Sequence, residues 1–180
     1  MLWFLFLLRT KDSLDGIIIL SGSDVMSDWN SAQYLKFESQ RTKPSADLIS
    51  RISDLEPKTV ADLGCGPGNS TALLAKSFKD ARIIGLDSSD DMLAKAKSSY
   101  PELEFSKCLM PDGLGKFKQS FDLIFSNACI HWIKEQRTLL DAVYEKLSAG
   151  GVFAVQLPLT ERADFYRLLG SLTADGKWKK

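Results

Sequence analysis

Two carboxylates and a run of glycines carry the chemistry that can be read from this chain. Val60-Ala61-Asp62-Leu63-Gly64-Cys65-Gly66-Pro67-Gly68-Asn69-Ser70-Thr71 sets an acid two residues before glycines at alternate positions. The segment reads as a buried strand that breaks into a glycine turn and then enters a polar helix start. Glycine lets the backbone bend sharply and lets a ligand approach where a Cβ would block it. The unpaired N–H groups of the first helical turn receive polar or anionic ligand groups. The second acid, Asp87, closes the apolar run Ile83-Ile84-Gly85-Leu86. An acid about 20 residues beyond such a turn is placed to accept hydrogen bonds from ribose hydroxyls. Together these strand ends describe a nucleoside-binding crevice.

The dinucleotide fingerprint requires glycine at the first, third and sixth positions of the turn. Counting from Gly64, the third is Gly66 but the sixth is Asn69, so the fingerprint fails. Asp62 would also repel a pyrophosphate, whereas it attracts the amino group of a cationic cofactor. Both points weaken a nicotinamide-dependent oxidoreductase. Asp-Leu-Gly-Cys-Gly-Pro-Gly, with Asp87 downstream, instead resembles motif I of the class I S-adenosylmethionine-dependent methyltransferases, and Asp87 matches their ribose-holding acid. Phe121 to Ala128 is similar to their fourth-strand motif, and Leu147 to Phe153 to the turn before their fifth strand. Within that class the likeness is strongest to the trans-aconitate methyltransferases. It is carried by Ser27-Asp28-Trp29-Asn30, Ala61 to Ala72, Gly85 to Leu93, Asp122 to Trp132 and Val155-Gln156-Leu157-Pro158.

The resemblance implies S-adenosylmethionine as cofactor. It would be held by Asp62, Gly64, Cys65, Gly66, Gly68, Asn69, Asp87, Ser88, Met92 and Asn127. The implied methyl acceptor is a small carboxylic acid such as trans-aconitate, with another small molecule or an acyl carrier as the alternative. A carboxylate acceptor is already ionised near neutral pH, so transfer is chiefly a matter of aligning oxygen, methyl carbon and sulfur. Anchors for its charge are sought in Arg41, His131 and Trp132, with Lys43 and Tyr34 as weaker candidates. Arg41 reads equally as a solvated surface residue, and His131 as a hydrogen-bonded structural one. No catalytic acid or base is identified. Cys65 lacks a neighbouring base and a nucleophile motif. Asn69 and Ser70 are expected to cap the helix they open.

The elements that must position these groups alternate along the chain. Strands are expected over Thr59–Leu63, Arg82–Leu86, Leu103–Phe105, Phe121–Asn127 and Val152–Leu157, the last after a turn at Ala149-Gly150-Gly151. Helices are expected over Ser70–Phe78, Asp90–Ser99, Arg137–Leu147 and Glu161–Leu172. Upstream, Tyr34–Phe37 and Ala46–Ile52 carry helical apolar spacing, and Pro44 is suited to a first helical turn. Near-continuous apolar strands between helices give a Rossmann-like α/β fold, doubly wound, with a mainly parallel sheet covered by helices on both faces. Two departures from the resembled pattern stand out. The acid expected after strand three, beside adenine, is replaced by Cys108 or Leu109, with Asp112 available only after a shift. The sixth and seventh strands, the latter antiparallel, have no counterpart after Pro158, which leaves a truncated, non-catalytic binding domain as the rival reading.

Composition bounds the rest. The chain has 180 residues with 23 Lys+Arg against 23 Asp+Glu, which suits one domain and gives no pull toward nucleic acid or anionic membrane. Three scattered cysteines and a lone histidine offer no metal-ligand spacing and suit a reducing, cytoplasmic setting. The apolar runs Met1–Leu8 and Ile17–Leu20 each fall short of the roughly 20 residues that span a bilayer, and the charges Arg9 and Lys11 follow the first run rather than precede it. Residues 1–25 are therefore expected to be an appended segment outside the core, with no stable membrane insertion. Residues 26–180 are expected to form the methyltransferase domain.

Overall fold

A computed structural model describes residues 3–9, 20–22 and 38–158, with the backbone alone over 3–9, 20–22, 38–42 and at Pro158. The strands are β1 (Trp3–Arg9), β2 (Leu20–Gly22), β3 (Thr59–Leu63), β4 (Arg82–Asp87), β5 (Glu104–Lys107), β6 (Phe121–Asn127) and β7 (Leu147–Pro158). The helices are α1 (Glu38–Ser50), α2 (Asn69–Ser77), α3 (Asp90–Ser99) and α4 (Gln136–Lys146). One sheet holds all seven strands in the order β2-β1-β7-β6-β3-β4-β5. The run β7-β6-β3-β4-β5 is parallel, whereas β1 is antiparallel to both β7 and β2.

Alternation along the strands sorts two apolar layers. Val60, Ile83, Leu123, Phe125, Val152 and Ala154 form one, under Leu48, Ile49 and Ile52 of the α1 region and Leu74 of α2. Ala61, Leu63, Ile84, Leu86, Ile124, Phe153 and Val155 form the other, under Leu139, Leu140 and Val143 of α4. Strands buried on both faces need apolar residues at successive positions, which is why their sequences read as unbroken apolar runs. A smaller cluster joins Leu93 and Ala96 of α3 to Phe105 and Cys65. The doubly wound α/β architecture expected from the sequence is the one observed.

Four local expectations are corrected. α1 begins at Glu38, so Pro44 lies inside the helix and not in its first turn. Pro44 is buried, as are Ser45 and Leu48, and burial of this part of the helix outweighs one missing backbone bond. β5 runs one residue later at its start and ends at Lys107, held by Cys108 N–H donating to Asp87 O at 2.8 Å. The Ala149-Gly150-Gly151 turn is an irregularity within β7: Leu147 pairs with Phe121, and the ladder resumes only at Val152 with Leu123. Gly150, at φ 73°, supplies the left-handed residue this requires. Asn69 and Ser70 do not cap α2, whose cap is Gly68 in the left-handed region at φ 93° with no side-chain bond.

The amino-terminal segment, expected outside the core, supplies β1 to the sheet, where seven residues from Trp3 to Arg9 register against Pro158 to Val152. The apolar run is too short for a bilayer but matches the length of a sheet strand. The Glu161–Leu172 helix, Tyr34 and the Ser27–Asn30 motif lie outside the described residues. Removing residues 1–25 is expected to strip β1 and β2 and leave the edge of β7 unpaired. Its cost should appear as a thermal midpoint lower by several degrees and as faster aggregation. An unchanged melting curve would show that β1 contributes nothing to stability.

Candidate functional site

The site forms where the strand order reverses. After β3 the chain adds β4 and β5 on one side and β6 and β7 on the other, so a crevice opens at the carboxyl ends of β3 and β6. Ser126 Oγ donates to Leu63 O at 3.0 Å and ties these two ends together. The glycine turn follows at once, with Gly64, Gly66 and Gly68 at φ 73°, 53° and 93°. Gly64 N–H and Cys65 N–H both donate to Leu86 O, at 2.7 and 3.1 Å, which folds the turn back over β4. A Cβ on Gly66 would meet nothing within 4 Å, whereas one on Gly64 would lie 2.1 Å from Cys129 Sγ. The turn is thus packed below Gly64 and open above Gly66.

Both acids seen in the sequence converge on this turn. Asp87, at the end of β4, accepts Gly66 N–H on Oδ2 and Ser89 N–H on Oδ1, each at 2.9 Å. Asp62 is wholly buried; its Oδ2 accepts the hydroxyls of Ser70 at 2.6 Å and Thr71 at 2.7 Å. Its Oδ1 is buried with no partner among the described residues. Burial pushes the Asp62 carboxyl up to about 6; the two hydroxyls oppose that rise and the nearby charge of Asp87 adds to it. A buried carboxylate oxygen left unpaired beside an open glycine turn is suited to a cationic hydrogen-bond donor.

The remaining candidates divide. Asn69 does not face a ligand through its oxygen: Asn69 Oδ1 accepts the Tyr100 hydroxyl at 3.1 Å, tying α2 to the end of α3. Ser88 is exposed, and Met92 is half-buried in the first turn of α3, its N–H donating to Ser89 Oγ at 3.3 Å. Cys65 turns its side chain into the core, and its N–H is already spent on Leu86. Burial raises the Cys65, Cys108 and Cys129 thiols, Cys108 to about 11 and Cys129 to about 12, so all three are protonated at neutral pH. Cys108 lies in the core; Leu109 beside it is 72 % exposed, and Asp112 is exposed at the head of a 3-10 turn.

Asn127 ends β6 with a buried, unpartnered Oδ1, and the chain then turns through Ala128 at φ 53°. His131 and Trp132 follow in a 3-10 turn with ring centroids 4.8 Å apart. His131 is half-buried with an unpartnered Nδ1, and burial lowers its pKa. Trp132 is 65 % exposed, so it stands at a rim. Lys43 is exposed on α1. Arg41 has its backbone in the first turns of the same helix, and its side chain lies outside the described residues. Sequence reasoning passed over Gln156, which is buried with an unpartnered Oε1 at the end of β7. A polar residue inside the otherwise apolar run Val152–Leu157 was the signal available.

A glycine turn, two converging acids and a doubly wound sheet define the class: an α/β domain with a nucleoside crevice at its switch point. The chain belongs to the methyltransferase-domain family, whose model matches residues 60–151. It is 42 % identical over 153 residues to a trans-aconitate 2-methyltransferase of Methylobacterium radiotolerans, covering 85 % of this chain and 58 % of that one. A trans-aconitate 2-methyltransferase of Afipia carboxidovorans is 43 % identical over 133 residues, covering 74 % and 51 %. The chain thus spans a little over half the length of these curated relatives. Its fold is shared with an S-adenosylmethionine-dependent methyltransferase of Clostridium acetobutylicum. That match has a TM-score of 0.56 and 23 % identity, over 69 % of this chain and 55 % of that one. Among the described residues no helix is long and apolar enough to cross a membrane.

Proposed function

We propose that this chain is an S-adenosylmethionine-dependent methyltransferase that O-methylates a small carboxylic acid such as trans-aconitate in the cytoplasm. The observation that carries the cofactor is the buried Oδ1 of Asp62, unpartnered among the described residues, two residues before a glycine turn that is open at Gly66. Asp62 would take the ammonium of the methionine moiety, Asp87 the ribose hydroxyls, and the Gly64–Gly68 backbone the span between them. Ser88, Met92 and Asn127 complete that side. Leu109, exposed after β5 where the expected acid is missing, offers the adenine an apolar face instead. The cofactor supplies an electrophilic methyl carbon on sulfur. The chain's part is to orient it against an oxygen that is already ionised, which calls for no nucleophile from the protonated thiols. The identity to curated trans-aconitate 2-methyltransferases supports the acceptor. Arg41, His131 and Trp132 are its candidate anchors. Residues 26–180 carry the methyltransferase site, and β1 and β2 extend the edge of its sheet beyond β7.

Calorimetric titration with S-adenosylmethionine, S-adenosylhomocysteine and NAD, followed by methyl transfer from labelled cofactor to trans-aconitate, tests this reading. Saturable binding of the first two alone and labelled ester are expected. Binding without transfer to any carboxylic acid would leave a non-catalytic domain. The pH dependence has a definite sign. An Asp carboxyl raised from 3.8 to about 6 favours the protonated form in the fold, so free-chain stability falls as pH rises across that interval. An ammonium ligand needs the ionised form, so cofactor affinity should rise over the same interval. It is expected to be about tenfold weaker at pH 5 than at pH 7. A flat affinity profile would take Asp62 out of the ammonium role.

A further inference from the structure

Gln156 is 5 % exposed, and its side-chain oxygen has no hydrogen-bond partner among the described residues. In the parallel ladder of β6 and β7 it stands directly opposite Asn127, whose Oδ1 is also buried and unpartnered. Paired residues share a face of the sheet, and so do residues two apart along a strand. Phe125 pairs with Asp62 across β3 and β6, so Asp62, Asn127 and Gln156 occupy one face at the carboxyl end of the sheet. Ala154, two residues before Gln156, packs in the layer that contains Leu48, Ile49 and Ile52, so this is also the face that the α1 region covers. Three unmet buried acceptors therefore cross three adjacent strands at the mouth of the crevice.

A buried carboxamide oxygen left unpaired costs free energy that nothing in the described fold offsets, and such groups call for a ligand or water. The cofactor line runs from Asp62 on β3 to Asp87 on β4. Gln156 lies the other way, two strands from β3 at about 4.8 Å per strand. That displacement puts it beside the methionine end and away from ribose and adenine. A carboxamide presents either oxygen or N–H after a half-turn about its terminal torsion, so it can donate to an anion.

We infer that Gln156, flanked by Asn127, is a binding residue for the methyl acceptor, its amide N–H donating to a carboxylate oxygen. The assignment rests on the carboxylic-acid reading above and adds a residue on β7 to the acceptor site. It predicts a split between acceptor and cofactor that a structural role would not produce. Trans-aconitate is titrated into the full chain saturated with S-adenosylhomocysteine, for the native sequence, Gln156→Leu and Gln156→Glu. Gln156→Leu should weaken trans-aconitate at least tenfold while S-adenosylhomocysteine affinity stays within about twofold and the thermal midpoint is unchanged or higher. Gln156→Glu should weaken it further, since it sets like charges together. Undiminished trans-aconitate affinity in a folded Gln156→Leu chain overturns the assignment alone. A parallel loss of S-adenosylhomocysteine moves Gln156 to the cofactor and overturns it equally. Should Gln156→Leu fail to fold, Gln156→Glu decides: undiminished affinity there overturns the assignment. A native chain that binds S-adenosylhomocysteine but no trans-aconitate overturns the acceptor reading and this assignment with it.

Discussion

Asp87→Ala is expected to weaken S-adenosylmethionine binding by one to two orders of magnitude in a chain that still folds. A charge-assisted hydrogen bond contributes about 1.5–3 kcal/mol, which corresponds to roughly 10- to 150-fold in affinity. Asp87 has a second role that deepens the loss. Its two oxygens hold Gly66 N–H and Ser89 N–H, so the carboxylate fixes both the open part of the glycine turn and the entry to α3. Alanine removes the ribose acceptor and releases the turn together. Asp87→Asn separates these effects, because its single oxygen can keep one backbone bond while the charge is lost. The expected order of affinity in calorimetry is Asp87, then Asn, then Ala. Equal affinities in all three chains would remove Asp87 from the site.

Gly64→Ala should be the most destabilising single change in the turn. Gly64 sits at φ 73°, where an L side chain costs about 1–2 kcal/mol. Its added Cβ would also lie 2.1 Å from Cys129 Sγ and 2.3 Å from Cys129 Cβ. Overpacking of this kind costs about 1–3 kcal/mol. Together these give about 2–5 kcal/mol, or a fall in thermal midpoint of roughly 5–15 °C. Gly66→Ala makes the contrast, since it sits at φ 53° with open space above it. It should cost only the backbone part of the stability, yet still weaken the cofactor by filling the cradle. Cys129→Gly in the Gly64→Ala background should recover the steric share and leave the backbone share. Equal melting losses for Gly64→Ala and Gly66→Ala would mean that Cys129 yields freely.

The strands and helices from Thr59 to Asn127 were legible because burial on both faces forces apolar runs, and alternation with polar-faced helices leaves few other folds. The errors share one cause. The local preference of Pro44 is for a first turn, but a buried helix face holds it six residues inside α1. Asn69 and Ser70 were read as caps by type, but Ser70 is claimed by the buried Asp62 and Asn69 by Tyr100. Residues 1–25 were judged against bilayer length and signal-peptide charge. Neither test registers that six apolar residues closed by Arg9 can pair with a strand far along the chain.

By itself, the sequence determined the kind of crevice: glycines at alternate positions, the acid before them and the acid after them are local chemistry, and their spacing along two successive strands leaves little freedom. Tertiary structure alone decided three further matters. It set Asp62 with one oxygen hydrogen-bonded and the other buried without a partner among the described residues, it turned the cysteine of the glycine turn inward, and it lined up Asn127 with Gln156 across a ladder. Each depends on which residue stands opposite which, a matter of strand order and register between segments far apart in the chain. Hydrophobic pattern selects a strand and its buried faces, but partners are chosen only when the whole sheet assembles.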